Sequence, residues 1–230
     1  MPHLFRLRLK AKTKETKMLG NIFKTMLAVS AMVVMAVPPS YAHGKAMTMK
    51  ETPKAVELRQ VERDLWIGHI FWVRNVALAT KSGDMKAAKT AEQNVVKNAR
   101  AIADAVIPVY GKPAADKLFG LLAGHYGAIK EYMYAAYAAD KAGKDAAVIK
   151  ITANAADIAS FLGSANPNWP KETLVGLLSA HGGHHIAQIE AFAKGDYDTE
   201  AETWDAMKDH MYMIADALAA GIVKQFPKKF

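Results

Sequence analysis

Apolar residues recur every three or four positions along three stretches of the chain, and a histidine interrupts each stretch at the same place. The three series are Val61, Leu65, His69, Val73 and Val76; Leu118, Leu122, His125, Ile129 and Tyr132; and Leu174, Leu178, His181, His185, Ile189 and Phe192. This spacing lines one face of an α-helix. Each series therefore predicts a helix whose histidine faces the protein interior.

Prolines and turn residues set the expected bounds of these helices and of a partner helix after each one. The first helix of each pair is predicted at 53–81, 113–141 and 170–193, and each opens with a proline. The second helix of each pair is predicted at 84–107, 145–163 and 199–226, beginning at Asp84, Asp145 and Thr199 and stopped by Pro108, Pro167 and Pro227. No alternating run rich in Val, Ile or Thr predicts a strand.

The same pattern repeats after 56 residues. His69, His125 and His181 are separated by this interval, and Asp84, Asp140 and Asp196 keep it too. A fixed period of this size marks an array of like units, so we predict an all-α six-helix bundle built from three tandem helical hairpins. Each histidine is as far from its hairpin turn as a polar residue in the second helix, namely Asn98, Asn154 or His210. Six polar side chains are therefore expected in one layer.

Residues 1–42 have the pattern of a secretory signal peptide. Basic residues precede an apolar run at 26–37, and small residues follow as far as Ala42. The run is too short to span a bilayer, which needs about 20 residues, so no stable membrane insertion is expected after cleavage. The sequence predicts a periplasmic or secreted protein with a polar arm at 43–52 and a bundle domain at 53–230. Met18 is an alternative start to Met1.

Cleavage changes the charge of the chain. The full sequence has 30 basic and 22 acidic residues, and the leader holds seven of the former and one of the latter. The remaining chain has a net charge of about +2, which gives no electrostatic case for nucleic-acid binding. The chain has no cysteine, so disulfides and thiolate metal sites are excluded. The sequence does not identify a protein partner.

Three stretches resemble an uncharacterised bacterial family of small, histidine-containing helical-bundle proteins. They are His69 flanked by Trp66 and Trp72, the run 154–159 with its continuation at 165–169, and the ending at 221–227. The resemblance covers nearly all of the chain after residue 56 and implies the same fold, without an established activity. The family pattern places an acid before the second and third histidines, where this chain has Gly124 and Ala180, and it lacks His184 and His185.

The histidines predict a metal site. His181 and His185 are four residues apart, so they project from one helix face and can chelate one ion; the other candidate ligands are His69, His125, His210 and His184. An all-imidazole set suits a transition metal, copper or zinc, and its affinity is expected to fall below about pH 6.5, the ordinary histidine pKa. The function favoured is non-enzymatic binding of this ion in the interior.

Two other functions fit the same residues. One is a structural or partner-binding scaffold in which buried His–Asn pairs form an inert layer. The other is a metal-dependent enzyme with an open three-histidine site. No nucleophile motif supports other catalysis. In the polar arm, His43 with the pair Met47 and Met49 is a separate candidate for copper binding.

Overall fold

The computed structural model describes residues 51–230, and this part of the chain is α-helical with no strand. Six long helices and one short helical turn follow one another in the order α1 (Pro53–Ser82), α2 (Met85–Ala105), α3 (Ile107–Tyr110), α4 (Lys112–Tyr137), α5 (Lys141–Ala165), α6 (Lys171–Lys194) and α7 (Tyr197–Gln225). The predicted all-α helical bundle is confirmed. The predicted signal peptide at 1–42, with His43, Met47 and Met49, lies outside the described residues.

The second helix of each hairpin begins after an aspartate. The side chains of Asp84, Asp140 and Asp196 accept hydrogen bonds of 2.9–3.0 Å from the backbone N–H three residues later. These side chains satisfy one of the free N–H groups at the helix start. The predicted starts at Asp145 and Thr199 were therefore too late, because Asp140 and Asp196 already cap α5 and α7.

The turn before each aspartate contains one residue with a positive φ angle. Gly83 and Gly195 have φ values of 80° and 71°, and Ala139 occupies the equivalent place with a φ of 54°. In all three turns the aspartate N–H donates to a carbonyl five residues earlier, over 2.8–3.0 Å. This closure ends α4 at Tyr137, four residues before the predicted bound.

The prediction that Pro108 stops the second helix of the first hairpin was wrong. Helix α2 ends earlier, at Ala105, and Pro108 lies within α3. Proline is tolerated there because the first turn of a helix leaves its N–H groups without partners. At the start of α6, Pro170 occupies the capping position rather than the first helical residue.

The six long helices close into a ring. Each hairpin pairs two neighbours in sequence, α1 with α2, α4 with α5 and α6 with α7. The second helix of each hairpin also packs on the next hairpin, and α7 returns to α1. Across the interior, α6 contacts both α1 and α4. The turns and caps recur every 56 residues. The tandem repeat of three hairpins that superpose on one another stays a prediction.

The apolar core has two halves, and the histidines lie between them. One half contains Trp66, Leu122 and Leu178, and the other contains Val73, Ile129 and Ile189. In each of the helices α1, α4 and α6, the histidine lies in sequence between a residue of the first half and a residue of the second half. By length and composition α5 is apolar enough to cross a membrane, although core helices of water-soluble bundles also meet this criterion.

Candidate metal centre

Three helices bring four histidines together in the interior. His69 comes from α1, His125 from α4, and His181 and His185 from α6. Each side chain is 5% exposed or less, and one nitrogen of each lies within 4.8 Å of the corresponding nitrogen of every other. We call this set the four-histidine group. It contains no carboxylate.

The rings of the four-histidine group are arranged almost as a tetrahedron. Five of the six distances between ring centres are 5.4–6.0 Å, and the His181–His185 distance is 4.5 Å. Four imidazoles around a tetrahedral ion, with metal–nitrogen bonds of about 2.0–2.1 Å, place their ring centres about 5 Å apart. The observed spacing can therefore receive a tetrahedral ion after small shifts of the rings.

The closest pair is the one predicted to chelate an ion from a single helix face. The Nε2 atoms of His181 and His185 are 3.2 Å apart. Two ligands of a tetrahedral zinc ion lie about 3.3 Å apart, as its bond lengths require. The same distance also allows one ring to donate an N–H to the other when no ion is present.

Burial keeps these imidazoles neutral. It lowers the pKa of His69 to about 3, and repulsion from His125 adds to the effect. Burial lowers the pKa of His125 to about 4, partly offset by the adjacent Asn154 side chain, and it lowers the pKa values of His181 and His185 well below their ordinary range. The expected loss of metal affinity at about pH 6.5 assumed an ordinary histidine pKa. These shifts move the contribution of histidine protonation to that loss to lower pH.

Several nitrogens of the group lack partners. His125 Nε2, His181 Nδ1 and His185 Nδ1 are buried and accept or donate no hydrogen bond within residues 51–230. Metal-bound histidines usually donate their second ring N–H to a carboxylate or carbonyl. Here the Nδ1 atoms of His181 and His185 have no such acceptor, so the two rings are held by packing and by the contact between their Nε2 atoms.

The polar residues of the second helices clamp the first helices instead of pairing with the histidines. The Asn98 Nδ2 group donates to the Leu65 carbonyl over 2.9 Å, and the Asn154 Nδ2 group donates to the Leu121 carbonyl over 3.0 Å. Each carbonyl belongs to the residue four before the histidine, so in a regular α-helix it also accepts the histidine backbone N–H. The predicted common height is observed, but Asn98 bonds backbone rather than the His69 ring.

Two glycines make this clamp possible. A Cβ atom added to Gly68 would stand 2.9 Å from Asn98 Nδ2, and one added to Gly124 would stand 3.2 Å from Asn154 Nδ2. The missing side chains let the asparagine amides reach the helix backbone. Because each glycine directly precedes a histidine of the group, the close approach also fixes the height of that histidine.

Two of the six predicted ligands lie outside the four-histidine group. His210 Nε2 is 2.8 Å from the Leu177 carbonyl, which can only accept, so Nε2 carries the proton. His210 thus replaces asparagine as the clamp of the third hairpin. His184 is half-buried, its ring centre lies 5.3 Å from that of His210, and burial lowers its pKa.

Sequence reasoning did not place four polar residues in the interior, namely Asn166, Gln188, Glu200 and Glu62. Among them, Glu62 lies on the same helix as His69. It is 4% exposed, and its Oε2 accepts a hydrogen bond of 3.1 Å from Trp66 Nε1. The signal was present in the sequence, since positions 62, 66 and 69 fall on one face of α1. A small cavity of about 10 Å³ lies between Trp66 and three histidines of the group, His69, His125 and His181.

The fold and the site together define an all-α helical bundle whose four buried histidines are close enough to hold a metal ion. A scan against protein-family models gives no match, and searches of curated proteins and of solved structures give none either. The resemblance to an uncharacterised bacterial family therefore stays a prediction.

Proposed function

We propose that this protein binds a transition metal, copper or zinc, through His69, His125, His181 and His185. The observation that carries the proposal is the set of ring distances, 4.5–6.0 Å among four buried imidazoles. Metal ligands must be deprotonated, and burial already holds these rings neutral. A bound ion would also give a partner to the unpaired His125 Nε2.

The number of ligands favours binding over catalysis. Catalytic zinc sites commonly use three protein ligands and leave a position for water or substrate, whereas closed sites use four. The four-histidine group offers four ligand atoms within 4.8 Å of one another. We therefore propose a non-enzymatic role, such as holding or passing on the ion. The alternative of an enzyme with an open three-histidine site has less support.

The charge of the group bears on which ion it takes. Four neutral imidazoles leave the full charge of the ion uncompensated in an apolar interior. The penalty for burying an ion rises with the square of its charge, so Cu(I) is easier to accommodate than Zn²⁺ unless an anion assists. Imidazole is a suitable ligand for both metals.

One observation favours the scaffold function as a second candidate. The His181–His185 contact of 3.2 Å can be an N–H···N hydrogen bond that needs no ion. This bond satisfies one nitrogen on each of two rings. His125 Nε2 stays without a partner in this arrangement. A layer that binds no metal would therefore keep an unpaired buried nitrogen, which is unfavourable.

The test compares two variants of neighbouring histidines. Metal-free full-length chain is melted with and without Zn²⁺, and with Cu(I) under anaerobic conditions, and bound metal is counted by mass spectrometry. Wild type and the control His184→Ala should each bind one ion per chain. An excess of about a hundredfold over the dissociation constant should stabilise them by about 2.7 kcal/mol. The double variant His181→Ala/His185→Ala should bind none and show no shift.

A wild-type melting temperature that no added metal changes would refute metal binding, and the scaffold function would then stand. Equal loss of binding in His184→Ala and in the double variant would place the ion elsewhere in the third hairpin. Circular dichroism of each variant establishes that the helical content is retained.

We also infer that the protein works outside the cytoplasm, in the periplasm or as a secreted protein. The support is the leader pattern at 1–42, which lies outside the described residues. Cleavage near Ala42 would leave a chain of residues 43–230, and an intact mass of the exported protein checks this. No stable membrane insertion is proposed for that chain.

A further inference from the structure

Glu62 is a buried carboxyl group without a basic partner. Within residues 51–230 two carboxyl side chains are buried, those of Glu62 and Glu200. Glu200 receives two hydrogen bonds of 2.6 Å from Arg74 and one of 2.8 Å from Gln188. Glu62 receives one, from Trp66 Nε1. Burying a carboxylate without a cation costs free energy of folding, so Glu62 at this position is unfavourable for stability alone.

The cavity beside Glu62 is lined by no other ionisable side chain of residues 51–230. This cavity has a volume of about 20 Å³. Its other lining side chains come from α1, α2, the junction of α2 with α3, α4, α5, the loop before α6, and α7. They are all apolar or aromatic: Trp66, Ile102, Val106, Leu118, Ile158, Leu162, Trp169, Leu218 and Ile222. The neighbouring Arg63 pairs with Asp216 on α7 rather than with Glu62. Burial is accordingly the main influence on this carboxyl, and it raises the pKa to about 7.

The position of Glu62 points to the four-histidine group. Seven residues separate it from His69 on one face of α1, about 10 Å along the helix axis. Trp66 stands between them, and it lines both the cavity beside Glu62 and the smaller cavity beside the histidines. The interval between the carboxyl and the group is thus apolar, and a charge on one is poorly screened from the other.

The histidines supply no negative charge, whereas Glu62 can. We propose that Glu62 is the counter-charge of the four-histidine group, and that binding of a divalent cation there ionises the Glu62 carboxyl. One cation enters, the O–H bond of Glu62 breaks, and one proton leaves to the solvent without any change of oxidation state. This inference rests on the proposed metal binding.

The test counts protons released when Zn²⁺ binds to the metal-free full-length chain. Calorimetric titrations at about pH 6, in two buffers of different ionisation enthalpy, give this number directly. Wild type should release close to one proton, because Glu62 is then mostly protonated while the buried imidazoles are already neutral. At about pH 8 the release should fall almost to zero.

Two variants in α1 distinguish the loss of the Glu62 carboxyl from the loss of any other negative charge on this helix. Glu62→Gln keeps the size of the side chain and an acceptor for Trp66, and it should release no proton at either pH. Glu57→Gln, at an exposed position of α1, should behave as wild type. Between about pH 7 and pH 6 the wild-type affinity for Zn²⁺ should fall several-fold, up to about tenfold, whereas that of Glu62→Gln should stay constant.

The outcomes distinguish this inference from the proposed function. If wild type binds Zn²⁺ and Glu62→Gln releases the same number of protons, Glu62 is not the counter-charge, and metal binding stands. If wild type and both variants bind no Zn²⁺, the role of Glu62 fails; if they bind no Cu(I) either, metal binding by the group fails as well. Cu(I), with one charge, should release fewer protons than Zn²⁺ from wild type; equal release would also overturn the counter-charge role.

Discussion

The Nε2 atoms of His181 and His185 lie 3.2 Å apart on successive turns of α6. Without an ion, the N–H of one ring donates a hydrogen bond to the bare nitrogen of the other. With an ion, both must present lone pairs, so one ring has to move its proton to Nδ1. The contact therefore holds the two rings close together, and binding of the proposed ion would replace one hydrogen bond instead of ordering free side chains.

The buried histidines make the metal-free protein sensitive to acid. In the unfolded chain their pKa values return to about 6.5, whereas in the folded protein those of His69 and His125 are about 3 and about 4. Between these limits the unfolded chain binds more protons, so stability is present above about pH 6.5 and is lost as the pH falls. Each such histidine contributes up to about 1.4 kcal/mol per pH unit.

Glu62 acts in the opposite direction. Its raised pKa, about 7, lets the folded protein bind the extra proton, so its contribution grows as the pH falls from about 7 towards 4.5 and offsets one histidine. Urea unfolding of metal-free protein between about pH 7.5 and pH 5 should therefore show a net loss of stability. The loss should be smaller in His181→Ala/His185→Ala. An unchanged free energy of unfolding in wild type over this range would contradict the buried neutral state.

The middle hairpin turn contains a strained backbone residue, Ala139, and a substitution can relieve this strain. Ala139 has a φ of 54°, at the position where the other two turns have Gly83 and Gly195. A left-handed conformation costs a residue with a Cβ atom about 1–2 kcal/mol, which glycine avoids. Ala139→Gly should raise the free energy of unfolding by about 0.5–1 kcal/mol in urea titrations, after allowing for the greater entropy of glycine in the unfolded chain.

The neighbouring position supplies the control for this turn. Ala138 has an ordinary φ of −87°, so Ala138→Gly should give no gain and should lower stability slightly. If both variants lowered stability alike, the positive φ of Ala139 would not be a source of strain.

Most of the helices could be predicted from the sequence because the same apolar pattern occurs three times, at intervals of 56 residues. Each occurrence is a weak signal alone, and their agreement makes the prediction stronger. The heights of His69 and Asn98 followed from their equal distances to the hairpin turn. The bonding partner of Asn98 did not follow, since its amide reaches the Leu65 carbonyl only through the space left by Gly68. Such an approach depends on the distance between two helices, which a hydrophobic pattern does not specify.

The candidate site was also predicted only in part from the sequence. The helical period placed His181 and His185 on one face, and the structure brings both into the four-histidine group. His184 is one residue from His185, yet this step turns about 100° around the helix and leaves it half-buried. Glu62 was missed because glutamate is rarely buried without a partner, and burial becomes visible only when neighbouring helices are packed around it.

The clamp of the third hairpin can be tested without touching the four-histidine group. His210→Ala removes the bond to the Leu177 carbonyl and leaves a gap beside α6, so it should lower the free energy of unfolding by about 1–3 kcal/mol. His210→Asn alone should restore little, because Ala180 has the Cβ atom that Gly68 lacks in the first hairpin.

The double variant Ala180→Gly/His210→Asn recreates the arrangement of Gly68 and Asn98 in the third hairpin. Because the new amide then has room to reach the Leu177 carbonyl, the two substitutions should couple favourably, by about 0.5–3 kcal/mol in a double-mutant cycle. Urea unfolding of wild type, both single variants and the double variant measures this coupling. Zn²⁺ and Cu(I) binding should persist in all of them, since His210 lies outside the group. Loss of metal binding in folded His210→Ala would instead make His210 a ligand, and additive effects on stability would reject the clamp.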